Sequence, residues 1–233
     1  MKTLKILLTG VVALSLLASS SCNTMTNTGK GALIGGGGGA ALGAGIGALI
    51  GGGKGAGIGS AIGAAVGAGA GTLIGNKMDK QKKELEAQLA QKAEVESVKD
   101  QNGLEAIKVT FNSGILFPFN GTSLNNAAKQ DLTTFASSLI NNPQTNVQIF
   151  GYTDNVGSYA ANEKVANGRA DAVRTYLIHS GVAASRITAQ GVPMADYVAS
   201  NDTPEGRAQN RRVEIYITAS PQMIQAAENG TLQ

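Results

Sequence analysis

The sequence predicts an α+β protein, one sheet with two helices packed on a face, preceded by a glycine-rich helical hairpin and a charged helical linker. Three patterns predict this. Apolar residues alternate at Ile107, Val109 and Phe111, and again at Val213, Ile215 and Ile217, the period of half-buried strands. Between them, Leu124, Ala128, Leu132, Phe135 and Leu139 recur at helical spacing. Ahead of all of these, glycine falls on every fourth residue from Gly31 to Gly75.

Residues 1–21 read as a secretory signal: Lys2 and Lys5, an apolar run from Ile6 to Ala18, then small residues up to Cys22. Removing them takes two of the 19 basic residues and leaves 17 against 16 acidic ones. So even a balance lacks the basic excess of a nucleic-acid-binding protein, and no nucleic-acid partner is expected. Cys22 is the only cysteine, which excludes an intrachain disulfide. Small residues running into that cysteine resemble the processing site of bacterial lipoproteins. The resemblance implies lipidation of Cys22 and a lipidated tether over residues 22–30. Asn23 stands where an Asp would retain such a protein at the inner membrane. The implied location is therefore the Gram-negative outer membrane, lipid-anchored, with the C-terminal domain in the periplasm.

Twenty of the 32 glycines lie within residues 31–75. Each costs about 0.8–1 kcal/mol relative to alanine in a helix, roughly 16–20 kcal/mol for the set, so a lone helix in water is excluded. Residues four apart share one helical face, and a ridge without side chains admits a second helix at backbone distance. Lys54 divides the stretch into uncharged runs 31–53 and 55–75, each near the ~20 residues that a membrane span needs. A flexible spacer would explain the composition. It would not explain the period of four, nor the Ala, Leu and Ile between the glycines. The pattern resembles the glycine-zipper segments of bacterial envelope proteins, which implies a membrane-associated hairpin open to self-association.

Residues 76–103 are rich in helix formers, with Leu85, Leu89 and Ala93 on one stripe. They read as a solvated helical linker, which at 1.5 Å per residue holds the next domain roughly 35 Å from the membrane. That domain covers residues 104–220. A first strand contains Ile107 to Phe111, and the helix of the Leu124 stripe ends at Asn141-Asn142-Pro143. VQIFGYTD supplies a second strand, residues 159–179 a second helix with Gly181 behind it, Ile187 a third strand and Val213 to Ile217 a fourth. The order is β-α-β-α-β-β. Residues 221–233 are left as a C-terminal tail.

Arg169 interrupts the apolar stripe of the second helix, four residues from both Val165 and Val173. An inward charge needs a partner, and Asp154 at the end of the second strand is the candidate. Spacing leaves two readings open. The two residues pair with each other, or both point at a zwitterionic ligand, carboxylate to amine and guanidinium to carboxylate.

GYTDNVGS (151–158), Asn162, GRADAV (168–173) and GRAQNRRVEI (206–215) closely resemble the OmpA-like peptidoglycan-binding domain. The resemblance covers residues 105–219. It implies that Asp154 and Arg169 hold the ammonium and carboxylate of diaminopimelate in the wall peptide. Phe119 and Asn120 resemble the loop that closes over the ligand, and Thr153, Asn162 and Arg212 match further motif positions. The implied partner is diaminopimelate-containing peptidoglycan.

Other chemistry is sparse. His179 is the only histidine, which leaves no His-based metal cluster or conventional triad. GYTDNVG lacks the strand–GxGxxG–helix context of a dinucleotide site. No metal, cofactor or catalytic residue is expected, and the protein is not read as an enzyme. The expected function is an outer-membrane lipoprotein that anchors the envelope to peptidoglycan without covalent chemistry. One alternative is a membrane-assembling glycine-zipper stress or pore protein localised by its wall-binding domain. Another is an ion-motor stator component, against which residues 31–75 carry no Asp or Glu.

Overall fold

A computed structural model describes residues 66–100, 102–118 and 120–232. Cys22, Phe119 and most of the glycine segment therefore lie outside the described residues. In chain order the elements are α1 (Ala68–Gln88), β1 (Glu94–Lys99), β2 (Glu105–Asn112), α2 (Ser113–Leu116), α3 (Asn126–Asn141) and β3 (Thr145–Tyr152). Then follow α4 (Tyr159–His179), β4 (Ile187–Val192), α5 (Pro204–Asn210), β5 (Arg212–Ala219) and α6 (Pro221–Glu228). The sheet order is β1-β2-β5-β3-β4, with β3 and β4 parallel and the other neighbours antiparallel.

The alternation on the strands separates the two faces of the sheet. Val109, Phe111, Val147, Ile149, Val213 and Ile215 enter one core with Leu132 and Phe135 of α3 and Val173 and Leu177 of α4. The intervening positions Phe150, Tyr152 and Tyr216 form a smaller cluster with Val192. Helix starts follow side-chain caps: Asn125 accepts from Ala128 N, Ser158 from Ala161 N and Ser220 from Met223 N.

Three expectations are corrected. The segment 76–103 is not a solvated helical linker. Its helix ends at Gln88, Gln91 turns the chain at φ 68, and Glu94–Lys99 adds an edge strand antiparallel to β2. The reason lies in the stripe Ile74, Met78, Leu85 and Leu89, an apolar face long enough to need cover, which α1 buries in the main core. Lys92 pairs with Asp131 and ties the turn after α1 to α3. The second glycine run does not remain separate up to residue 75 either. Ala70 and Ile74 are packed in the domain core, so that end of the run is committed to protein. Residues 221–233 are more than a tail: Pro221 opens α6, and Met223, Ile224 and Ala227 join the same core. Among the described residues, no helix is long and apolar enough to cross a membrane.

This packing can be tested at Leu85, which is 0% exposed. Leu85→Ala should lower unfolding stability by about 2–5 kcal/mol in urea titration, as large-to-small core substitutions do. A change within about 0.5 kcal/mol, the range of surface positions, would contradict it.

Candidate functional site

The site begins with a close approach of backbones. Gly151 on β3 and Gly191 on β4 are lateral partners. A Cβ at Gly151 would stand 2.4 Å from the Ala166 carbonyl oxygen, and one at Gly191 would stand 2.5 Å from Asn167 N. Only glycine at both positions lets α4 rest this near the sheet. Asn167 Oδ1 also accepts from Gly191 N at 2.8 Å, fastening the helix to β4. Three residues past Gly151 comes Asp154; three past Ala166 comes Arg169.

Both side chains line one cleft of 680 Å³, together with Asn120, Thr153, Asn162, Arg207 and Arg211. Asp154, 7% exposed, accepts from Val156 N at 3.1 Å through Oδ1 and from Arg211 Nη1 at 2.6 Å through Oδ2. Two of its roughly four lone-pair positions remain available. Arg169, 4% exposed, donates through Nε to the Gly121 carbonyl at 3.1 Å and lies 5.4 Å from the Phe117 ring centroid. Those contacts fix the guanidinium plane and leave both Nη groups for a carboxylate. Burial lowers the Arg169 pKa, Arg211 lowers it further, and Asp154 opposes them. A guanidinium starts so far above neutrality that it stays charged. Asp154 and Arg169 do not form an ion pair; the carboxylate's partner is Arg211.

The remaining candidates divide. Asn120 lies in the cleft at φ 55, a left-handed conformation that Asn tolerates, within the turn that aims the Gly121 carbonyl at Arg169. Asn162 donates to the Val156 and Ser158 carbonyls at 2.9 and 3.1 Å, so it shapes the loop carrying Asp154. Thr153 Oγ1 accepts from Met194 N at 3.0 Å and holds the loop after β4. Phe119 is outside the described residues.

Arg212 is corrected. It does not line this cleft but projects from the opposite face of the sheet, 3.8 Å above the Tyr152 ring. There its Nε donates to Glu214 at 2.7 Å and Nη2 to the Asp196 carbonyl at 3.0 Å. Tyr216 donates to the other Glu214 oxygen at 2.8 Å. Burial, then Glu214, raises the phenol pKa of both Tyr152 and Tyr216. The cleft instead takes Arg211 and Arg207, which motif matching missed. The signal was the alternation itself: Arg212 shares the parity of Glu214 and Tyr216 on β5, so its neighbour Arg211 faces the other way.

A fold with this cleft defines a class of protein. Residues 116–211 match the OmpA family, and residues 1–79 match the YMGG-like Gly-zipper. The chain thus carries an OmpA family domain behind a YMGG-like glycine-zipper segment. It is 40% identical over 136 residues to "Probable lipoprotein YiaD" of Escherichia coli (strain K12), covering 58% of this chain and 61% of the relative. It is 42% identical over 112 residues to the peptidoglycan-binding protein ArfA of Mycobacterium tuberculosis, covering 48% of this chain and 34% of that one. The alignments thus span 61% of YiaD and about a third of ArfA. Among solved structures, a MotB-like protein from Desulfovibrio vulgaris is similar at TM-score 0.56 and 25% identity, over 65% of this chain and 96% of that one. The cell wall anchor of the T6SS from Pseudomonas aeruginosa is similar at TM-score 0.51 and 29% identity, over 60% and 99%.

The Arg212 assignment carries its own test. Arg212→Ala leaves Glu214 buried without its cation, and should cost about 3–5 kcal/mol of stability. Thermal melting should show that loss. An unchanged melting temperature with lost ligand binding would return Arg212 to the site.

Proposed function

We propose that this protein binds peptidoglycan non-covalently, by gripping the side-chain end of diaminopimelate in the cleft between β3, α4 and α5. The carrying observation is the pair of buried, oppositely charged groups that share the cleft without satisfying each other. The Asp154 carboxylate accepts the ligand ammonium at its remaining lone pairs, and the two Nη groups of Arg169 take the ligand carboxylate bidentately. A diamine lacks the anion and a simple carboxylate lacks the cation, whereas a ligand that carries both charges satisfies both groups. Nothing in this grip makes or breaks a covalent bond; the site binds rather than catalyses.

The names of two similar proteins support the reading, since ArfA is a peptidoglycan-binding protein and the T6SS structure is a cell wall anchor. On the membrane side, residues 1–21 are removed and Cys22 is lipidated in the outer membrane. The glycine segment associates with the membrane and with copies of itself. Because α1 packs on the domain from Ala70 onward, the wall-binding unit follows the glycine segment without a long spacer. The protein is then a short, non-covalent link from outer membrane to wall.

Two substitutions test the grip. Asp154→Asn removes the charge while nearly preserving shape, and Arg169→Lys keeps charge but loses the fork. Each should weaken sedimentation with purified peptidoglycan by roughly 2–5 kcal/mol, the range for a buried charge that loses its partner. Because Asp154 also pairs with Arg211, circular dichroism must show a folded variant beside each pull-down. Folded variants that sediment as the wild type does would remove Asp154 and Arg169 as the grip.

The membrane side has an independent test. Intact-mass measurement of the mature native protein should give an acylated N-terminal Cys22. A free, unmodified thiol there contradicts the lipid anchor.

A further inference from the structure

The cleft is lined by one carboxylate, Asp154, and three guanidiniums, Arg169, Arg207 and Arg211. Arg211 is ion-paired with Asp154. Among the described residues, neither Arg169 nor Arg207 has an ion pair. Arg207 is not a loose surface arginine. Its Nη1 donates to the Asn201 carbonyl at 2.7 Å, which orients the guanidinium and leaves most of its donors free. Its helix is held in place as well. Fully buried Asn210 receives bonds from Val198 N and Ala199 N at 2.8 and 3.0 Å and returns one to the Ala199 carbonyl at 2.9 Å.

Counting charge then decides what fits. The lining carries three positive charges and one negative. The side-chain end of diaminopimelate brings one ammonium and one carboxylate, so it neutralises none of the excess. With Asp154 and Arg169 engaged, a positioned guanidinium is left facing the ligand.

We infer that Arg207 forms a second carboxylate subsite, so that the cleft takes a wall-peptide segment bearing two free carboxylates and one ammonium, and rejects peptides amidated at the second carboxylate. The subsite rests on the diaminopimelate reading above. In a stem peptide the second carboxylate comes either from the α-carboxyl of the γ-linked D-glutamyl residue or from the carboxyl that ends the peptide at diaminopimelate. Either presents the same planar anion to the guanidinium fork. Amidation removes the charge and places N–H donors against the donors of Arg207, which discriminates by mismatch as well as by lost attraction.

The test uses the full-length protein in detergent and calorimetric titration with L-alanyl-γ-D-glutamyl-meso-diaminopimelate and its two mono-amides, one at each candidate carboxylate. Wild type should bind one mono-amide roughly tenfold or more weakly than the acid, as expected for a hydrogen bond to a charged group. The position of that amide identifies the carboxylate. Arg207→Gln should remain folded by circular dichroism, bind the acid roughly tenfold more weakly, and no longer discriminate between acid and amide. Equal wild-type affinity for the acid and both amides overturns the subsite, as does a variant that still discriminates like wild type. Failure of wild type to bind the acid itself overturns the diaminopimelate reading, and the subsite with it.

Discussion

Two glycines side by side in the sheet set the geometry on which the site depends. Gly151 and Gly191 pair across β3 and β4, and a β-carbon at either would collide with the α4 backbone at Ala166 and Asn167. The helix therefore lies at backbone distance over β3, the strand that leads into Asp154. That contact is a rigid reference from which Asp154 and Arg169 are each only three residues away. Lifting α4 by the width of a methyl group would separate the two charges and expose Arg169 to water. A buried charge tolerates such loss of surroundings poorly, which is why its cradle of Phe117 and the Gly121 carbonyl matters.

Around that reference the charges are sorted between the two faces of the sheet. Arg211 and Arg212 are adjacent in sequence, yet one completes the cleft and the other closes a buried network of Glu214, Tyr216 and Tyr152. The two roles connect through the loop after β4. Arg212 holds that loop at the Asp196 carbonyl, Thr153 holds it at Met194, and the same loop leads into α5 with Arg207. Outer-face packing thus keeps cleft residues in register from outside the cleft.

Much of this was legible in advance because the signals are local. Alternation at Ile107 to Phe111 and Val213 to Ile217 located β2 and β5, and the 159–179 helix matches α4 residue for residue. The inward Arg169 showed as a polar break in an apolar stripe, and it is buried as that break requires. What escaped was context. The α1 stripe runs from Ile74, inside the glycine run, through Met78 to Leu85 and Leu89, whereas Leu85 and Leu89 taken with Ala93 made a stripe too short to demand burial. β1 carries just Val95 and Val98 among charges, the composition of an edge strand, and only pairing with β2 reveals it. α6 was left as a tail although its start is marked locally: Ser220-Pro221 is a cap followed by proline at the first helical position. Choosing between Arg211 and Arg212 needed the parity of β5 rather than motif alignment.

The central claim is that one cleft holds both charges of a diaminopimelyl group. NMR titration of the isotope-labelled protein with meso-diaminopimelate tests it most directly. Saturable shifts should appear at the Asp154 carboxylate carbon, the Arg169 Nε–H, and the amides of Val156 and Asn162. Arg212, Tyr216 and the outer sheet face should stay still. Shifts confined to the outer face, or saturation that leaves Asp154 and Arg169 unchanged, would contradict the account.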